Sequence, residues 1–159
     1  MDLYNEEFLS LIKTFQKHQV RYLIVGGFAV NKYGFKRTTG DVDFYLKDSI
    51  ENRHSLVEAL DEMGYGRFEE LLTLPIIAGY CEIMMDNGTY ADLMTSIPGL
   101  PKENFNEYYD MATIEHVGDI PVRFLHYNHL IINKKATGRN KDLLDIEELE
   151  KLNKENKTR

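Results

Sequence analysis

Two short apolar segments constrain the fold more tightly than anything else in the chain. Residues 21–25, Arg-Tyr-Leu-Ile-Val, run directly into Gly26-Gly27, and thirteen residues later comes Asp41-Val-Asp43-Phe-Tyr-Leu46. Both are rich in β-branched and aromatic residues, both are too short for a stable helix, and glycine bounds each of them, so both read as strands. The diglycine breaks the first strand, and Phe28 to Tyr33 leaves room for one short helix before Gly34.

Around this pair the rest of the chain alternates between helical and strand patterns. Phe8, Leu9, Leu11, Ile12 and Phe15 recur at helical spacing from Glu6 to His18, an amphipathic first helix. Asp48 or Ser49 caps a second long helix that reaches Met63 and turns its Leu56, Val57, Leu60 and Met63 inward, and Gly64-Tyr-Gly66 ends it. Residues 67–79 carry no consistent period, because Phe68, Leu71 and Leu72 suit a helical turn that Pro75 forbids from continuing. Tyr80–Met85 and Thr89–Thr95 flank Asp86-Asn87-Gly88, and Asn-Gly between apolar runs predicts a hairpin. A short helix near Glu103–Met111 follows. Strands at Ala112–Val117 and Val122–Leu125 come next, then helices over Asn128–Thr137 and Asn140–Leu152, and a polar tail from Asn153 that is expected to fray. Strands mixed with helices predict an α/β or α+β layered fold in a single domain over residues 1–152.

Composition excludes several classes. A chain of 159 residues buries roughly 68–70% of its unfolded surface, enough for one core. Its 43% hydrophobic and 28% charged content is that of an ordinary globular protein rather than a disordered one. No apolar run approaches the ~18 residues of a membrane span. Met1-Asp-Leu-Tyr-Asn-Glu-Glu7 lacks the basic and apolar regions of a leader, and the lone Cys81 permits no internal disulfide, so a cytoplasmic protein is expected. The net charge of −7 opposes broad binding to nucleic acid, although Lys134, Lys135, Arg139 and Lys141 form a local basic cluster.

Side chains alternate faces along a strand, so Asp41 and Asp43 share one face while Val42 and Phe44 turn to the core. Their Cα atoms lie about 6.6 Å apart at ~3.3 Å per residue. Two like charges at that distance repel by roughly 2.5 kcal/mol at an effective dielectric near 20, which a cation between them would relieve. Oxygen ligands without a nearby His or Cys set favour Mg²⁺ or Mn²⁺. A strand that ends in Gly-Gly and opens a helix lets backbone N–H groups approach an anion, with the Thr38 and Thr39 hydroxyls at hand. Taken singly, these features are also consistent with a plain turn and an acidic strand edge.

The ordered set, Gly-Gly after an apolar strand and then Asp-x-Asp on a second strand, resembles the signature of the nucleotidyltransferase superfamily that shares the DNA polymerase beta palm fold. That resemblance implies a mixed, largely antiparallel sheet flanked by helices. It also implies a third carboxylate on a neighbouring strand, and Asp92 in Tyr90-Ala-Asp92-Leu-Met matches it. The segment Leu130-Ile-Ile-Asn-Lys134-Lys-Ala-Thr-Gly138-Arg139-Asn-Lys141-Asp142-Leu-Leu-Asp145 is similar to one in AbiEii/AbiGii-type toxins, where a lysine and an Asp-x-x-Asp helix start support the nucleotide. Otherwise Lys134 and Lys141 are solvated helix residues and Asp142 or Asp145 is a capping acid.

The resemblance implies transfer of a nucleoside monophosphate from an NTP to a hydroxyl acceptor, with pyrophosphate released. Asp41, Asp43 and Asp92 would be catalytic and would hold two Mg²⁺ or Mn²⁺ ions, while Gly26, Gly27, Thr39, Lys134, Arg139 and Lys141 would bind the nucleotide. The acceptor stays open between a small cationic molecule such as an antibiotic, a tRNA and a protein. The alternative is a non-catalytic nucleotide- or protein-binding module of the same fold, with an antitoxin as a possible partner.

Overall fold

The computed structural model describes residues 4–159. Residues 1–3, part of the segment considered for a leader, lie outside the described residues. The core begins with helix α1 (Glu6–Lys17), whose start is capped by the Asn5 side chain accepting the Phe8 N–H at 2.9 Å. Its predicted stripe is inward: Phe8, Leu11, Ile12 and Phe15 are buried, and Leu9 packs at their margin.

Strand β1 (Tyr22–Val25) is followed without a break by the seven-residue helix α2 (Gly26–Lys32), which starts at the diglycine rather than after it. Strand β2 (Val42–Leu46) then pairs antiparallel with β1, and Ser49 caps α3 (Ile50–Glu62) by accepting from Asn52 N–H at 3.2 Å. The expected hairpin forms from β3 (Glu82–Met84) and β4 (Tyr90–Met94), closed by Met85 N–H to the Thr89 carbonyl at 2.8 Å. Helix α4 (Phe105–Asp110) leads to the antiparallel pair β5 (Thr113–Val117) and β6 (Ile120–Phe124).

Among the described residues one six-stranded sheet results, in the order β3-β4-β2-β1-β6-β5. The pairs β1–β2, β3–β4 and β5–β6 are antiparallel, while β2–β4 and β1–β6 are parallel. The sheet is therefore mixed and largely antiparallel, with helices packed on it. Alternation divides the faces. Tyr22 and Phe44 turn towards α1, where the Phe15–Phe44 and Tyr22–Phe44 rings meet edge to face at 5.5 Å between centroids. Asp43 and Tyr45 take the opposite face, Tyr45 packing on Phe105 at 5.1 Å.

Helices α5 (Tyr127–Thr137) and α6 (Asn140–Lys157) pack against each other around Gly138, whose φ of 65° ends α5 in the left-handed region. Helix α6 continues past the expected stop at Leu152, so the tail expected to fray is helical through Lys157. Lys154 and Lys157 stand in its last turn, where positive charge complements the helix dipole. The unassigned stretch contains one 3-10 turn, Glu69–Leu72, and is held by Arg53, whose Nη1 donates to the carbonyls of Leu71 and Leu74 at 2.6 and 2.8 Å. Among the described residues no helix is long and apolar enough to cross a membrane.

Candidate active site

The end of β1, the start of β2 and the junction of α5 with α6 enclose a polar pocket of about 270 Å³. Gly26, Gly27 and the loop Thr38-Thr39-Gly40 form one wall, with Asp41 and Asp43 beside them. Arg37, Lys134, Arg139 and Lys141 complete the lining. Of the residues expected to be catalytic or to bind the nucleotide, all but Asp92 line this pocket; Lys135, Asp142 and Asp145 do not line it, and Arg37 joins it unforeseen.

The glycine pair is shaped around side chains. Gly26 has a φ of 62°, and a Cβ there would collide with the Asp43 carboxylate, 2.7 Å from its Cγ. A Cβ at Gly27 would lie against the Thr39 hydroxyl, 2.7 Å from Thr39 Cβ and 3.3 Å from Arg37 Nη1. The bare glycines thus make a notch into which Asp43, Thr39 and Arg37 project. Gly26→Ala is expected to cost about 2 kcal/mol or more, since the left-handed conformation alone costs an L-residue roughly 1–2 kcal/mol and Asp43 must also move. Urea unfolding measures this, and an unchanged midpoint would mean that the notch has slack.

Parallel pairing sets Asp43 opposite Asp92, and antiparallel pairing sets Glu82 opposite Asp92, so three carboxylates form a row across β2, β4 and β3. Asp41 precedes β2 and is exposed, whereas Asp43 is half-buried. Burial pushes the Asp43 carboxyl up to about 6, the charges of Asp92 and Asp41 push the same way, and Lys134 and Lys141 pull against them. Asp92 is buried, and both of its oxygens accept from Gly79 N–H at 2.9 Å. Desolvation raises its proton affinity against the Gly79 bond, with Glu82 and Asp41 adding to the rise.

Among the described residues no group of three or more His, Cys, Asp or Glu is drawn together to hold a metal ion. What faces the pocket is the pair Asp41 and Asp43. Their hard oxygens suit Mg²⁺ or Mn²⁺, and the burial of Asp43, with the charges of Asp92 and Asp41 beside it, makes its carboxylate one that a cation would stabilise.

The positive side of the pocket is a ladder of ion pairs. Lys134, with its side chain only 3% exposed, places Nζ 2.8 Å from Asp142 and 2.9 Å from Asp145. Arg37 grips the two oxygens of Asp145 through Nε and Nη2, at 2.8 and 3.1 Å. Arg139 holds Asp142 through Nε at 2.7 Å, and its backbone N–H reaches the same carboxylate at 3.2 Å. Asp142 is therefore the capping acid of α6 and also a rung of the ladder. Burial works to raise its proton affinity, but the bonds from Arg139 and Lys134 outweigh this and hold it at about 2. Lys134 is not a solvated helix residue. The sequence signal for Arg37 was its place just ahead of Thr38-Thr39-Gly40, and nothing local pointed to its partner on α6.

The family model described as "Nucleotidyltransferase of unknown function (DUF6036)" matches residues 5–156. No curated protein matches the chain closely. Among solved structures, the lincosamide antibiotic adenylyltransferase LnuA, with lincomycin bound, is 16% identical at a TM-score of 0.57, over 96% of this chain and 99% of that one. TM1012 of Thermotoga maritima, assigned to the nucleotidyltransferases, is 15% identical at a TM-score of 0.53, over 94% of this chain and 89% of that one. At such identities the likeness is one of fold. The nucleotidyltransferase resemblance agrees with the family match, and these matches lend no support to its AbiEii-type part.

Proposed function

Since the chain belongs to the nucleotidyltransferases of unknown function (DUF6036), we propose that it transfers a nucleoside monophosphate from an NTP to a hydroxyl of a small molecule and releases pyrophosphate. The observation that carries this reading is the single pocket that gathers the glycine notch, Asp41, Asp43 and the cationic ladder. Asp41 and Asp43 would hold Mg²⁺ or Mn²⁺, which supplies positive charge to the phosphates when bound. The cations of the ladder would take the remaining phosphate charge. The acceptor oxygen attacks the α-phosphorus, the bond to the bridging oxygen breaks, and the hydroxyl proton passes to a carboxylate. Asp92, with its raised proton affinity, is suited to receive it once it is free of Gly79.

A small acceptor is favoured because most of the basic cluster is paired with acids: Lys134 is buried against Asp142 and Asp145, Arg139 pairs with Asp142 and Lys135 with Glu150, on a chain of net charge −7. Acceptors of antibiotic size agree with the neighbour LnuA, described as a lincosamide antibiotic adenylyltransferase.

The test is incubation of the protein with each α-labelled NTP, Mg²⁺ and a panel of hydroxylated small molecules, tRNA and cell extract. Label is expected on a small molecule, with pyrophosphate released and EDTA abolishing both. Label on tRNA or protein would reassign the acceptor. A second reading, binding without transfer, has one observation in its favour, the closure of both Asp92 oxygens by Gly79. Tight NTP binding without pyrophosphate release from any of these mixtures would establish it instead.

A further inference from the structure

We propose that Arg37, together with Arg139, contacts the phosphate oxygens of the nucleotide, and that Lys134 is a buried positioning residue that fixes both arginines through Asp145 and Asp142. The inference rests on the donor-site reading above and assigns its parts differently from the expectation that Lys134 itself holds the triphosphate.

The donor inventory separates the three cations. An ammonium has three N–H groups and a guanidinium five. Lys134 spends two of its three on the carboxylates of Asp142 and Asp145, in a place where it is 3% exposed. Arg37 has three N–H groups engaged, two by Asp145 and one by the Thr38 carbonyl at 3.2 Å, so two remain. Arg139 gives two to Asp142 and keeps three, with a side chain 57% exposed. Five spare donors therefore stand at the two ends of the ladder, and its buried middle keeps one.

Position agrees with this inventory. Arg37 Nη1 lies over the bare Cα of Gly27, in the wall that also carries the Thr39 hydroxyl. A planar fork held by a carboxylate on one edge presents its other edge in a fixed orientation, which suits the paired oxygens of a phosphate better than a point charge does. Asp142 and Asp145, both at most 1% exposed, share Lys134 as a buried counter-ion, and without it each would be left with one more exposed arginine. The lysine makes it possible for two buried carboxylates to aim two arginines.

The experiment is calorimetric titration of the full chain with inorganic tripolyphosphate in Mg²⁺, alongside steady-state transfer with the NTP that labels. Arg37→Met is expected to weaken tripolyphosphate binding roughly 10- to 100-fold, the range for losing charge-assisted hydrogen bonds. KM for the NTP should rise more than kcat falls, and Arg37→Lys should recover only part of the loss. Asp145→Asn supplies the readout that a plain brace would not move. Removing a negative charge beside the site would by electrostatics alone tighten an anion, whereas loss of the aimed fork predicts weaker binding despite it. Affinity within twofold of wild type in a folded Arg37→Met protein, or tighter binding in Asp145→Asn, overturns this inference while the donor-site reading stands. A wild-type protein that binds neither tripolyphosphate nor any NTP overturns both.

Discussion

Asp43→Asn is expected to reduce nucleotidyl transfer by on the order of 10²-fold or more, the scale for losing one essential electrostatic group, and to make the metal-free protein more stable at neutral pH. The two effects have one origin. Burial and the neighbouring Asp92 and Asp41 raise the Asp43 carboxyl from its ordinary 3.8 to about 6. The folded state thus binds this proton more tightly than the unfolded state, and the contribution favours folding fully below about pH 3.8. It is lost as the pH rises through about 6. At neutral pH the upper bound on what the wild type forgoes is about 3 kcal/mol, from ~1.4 kcal/mol for each pH unit. Asparagine keeps the shape and removes the charge. In EDTA the stability difference between variant and wild type should open between pH 4 and 7, and Mg²⁺ should close part of it by stabilising the wild type alone. Parallel stability curves across that range would mean that Asp43 is not held against its charge. Stability given up at a working site is a recurrent trade.

Lys134→Met is expected to be the most destabilising single change, by about 3–5 kcal/mol, because it leaves two buried carboxylates without their shared counter-ion. For a chain of this size that corresponds to a fall in Tm of roughly 10 °C. The triple replacement Lys134→Met, Asp142→Leu, Asp145→Leu removes the three fully buried charges, leaves Arg37 and Arg139 to turn to water, and should regain part of the loss while leaving the protein inactive. Chemical denaturation of the two variants side by side measures this, and a Lys134→Met protein within ~1 kcal/mol of wild type would show that water reaches the ladder.

The elements whose causes are local were legible in the sequence. Ser49 caps α3, Asn87-Gly88 closes the β3–β4 hairpin, and the apolar stripe of α1 turns inward, because each depends on residues a few positions apart. Asp41 and Asp43 flanking Val42 was likewise a local pattern. What escaped depended on distant partners. Arg37 meets Asp145 across 108 positions, and a Lys-Arg pair in a loop carries no mark of that. The burial of Lys134 was equally hidden, since a lysine in a helix is usually solvated and only the two aspartates of α6 make an interior place tolerable. Residues 67–79 resisted because few of their side chains are buried, so no period records a packed face. Helix α6 outran its expected end because its last turns are stabilised by charge rather than by apolar contact.

The span between Arg37 and Asp145 has a consequence for how the protein unfolds. Closing a loop of that length costs on the order of 4 kcal/mol of chain entropy, and the contact can form only when both ends of the chain are already in place. A ligand seated among Gly27, Arg37, Asp43 and Arg139 would therefore act as a clasp between the first third of the chain and the last, resisting melting of the whole domain rather than of one lobe. At a hundred times its Kd such a ligand adds about 2.7 kcal/mol, a displacement that a melting curve resolves readily. Candidate nucleotides and acceptors can thus be ranked by heating the protein with each of them, before any turnover has been seen.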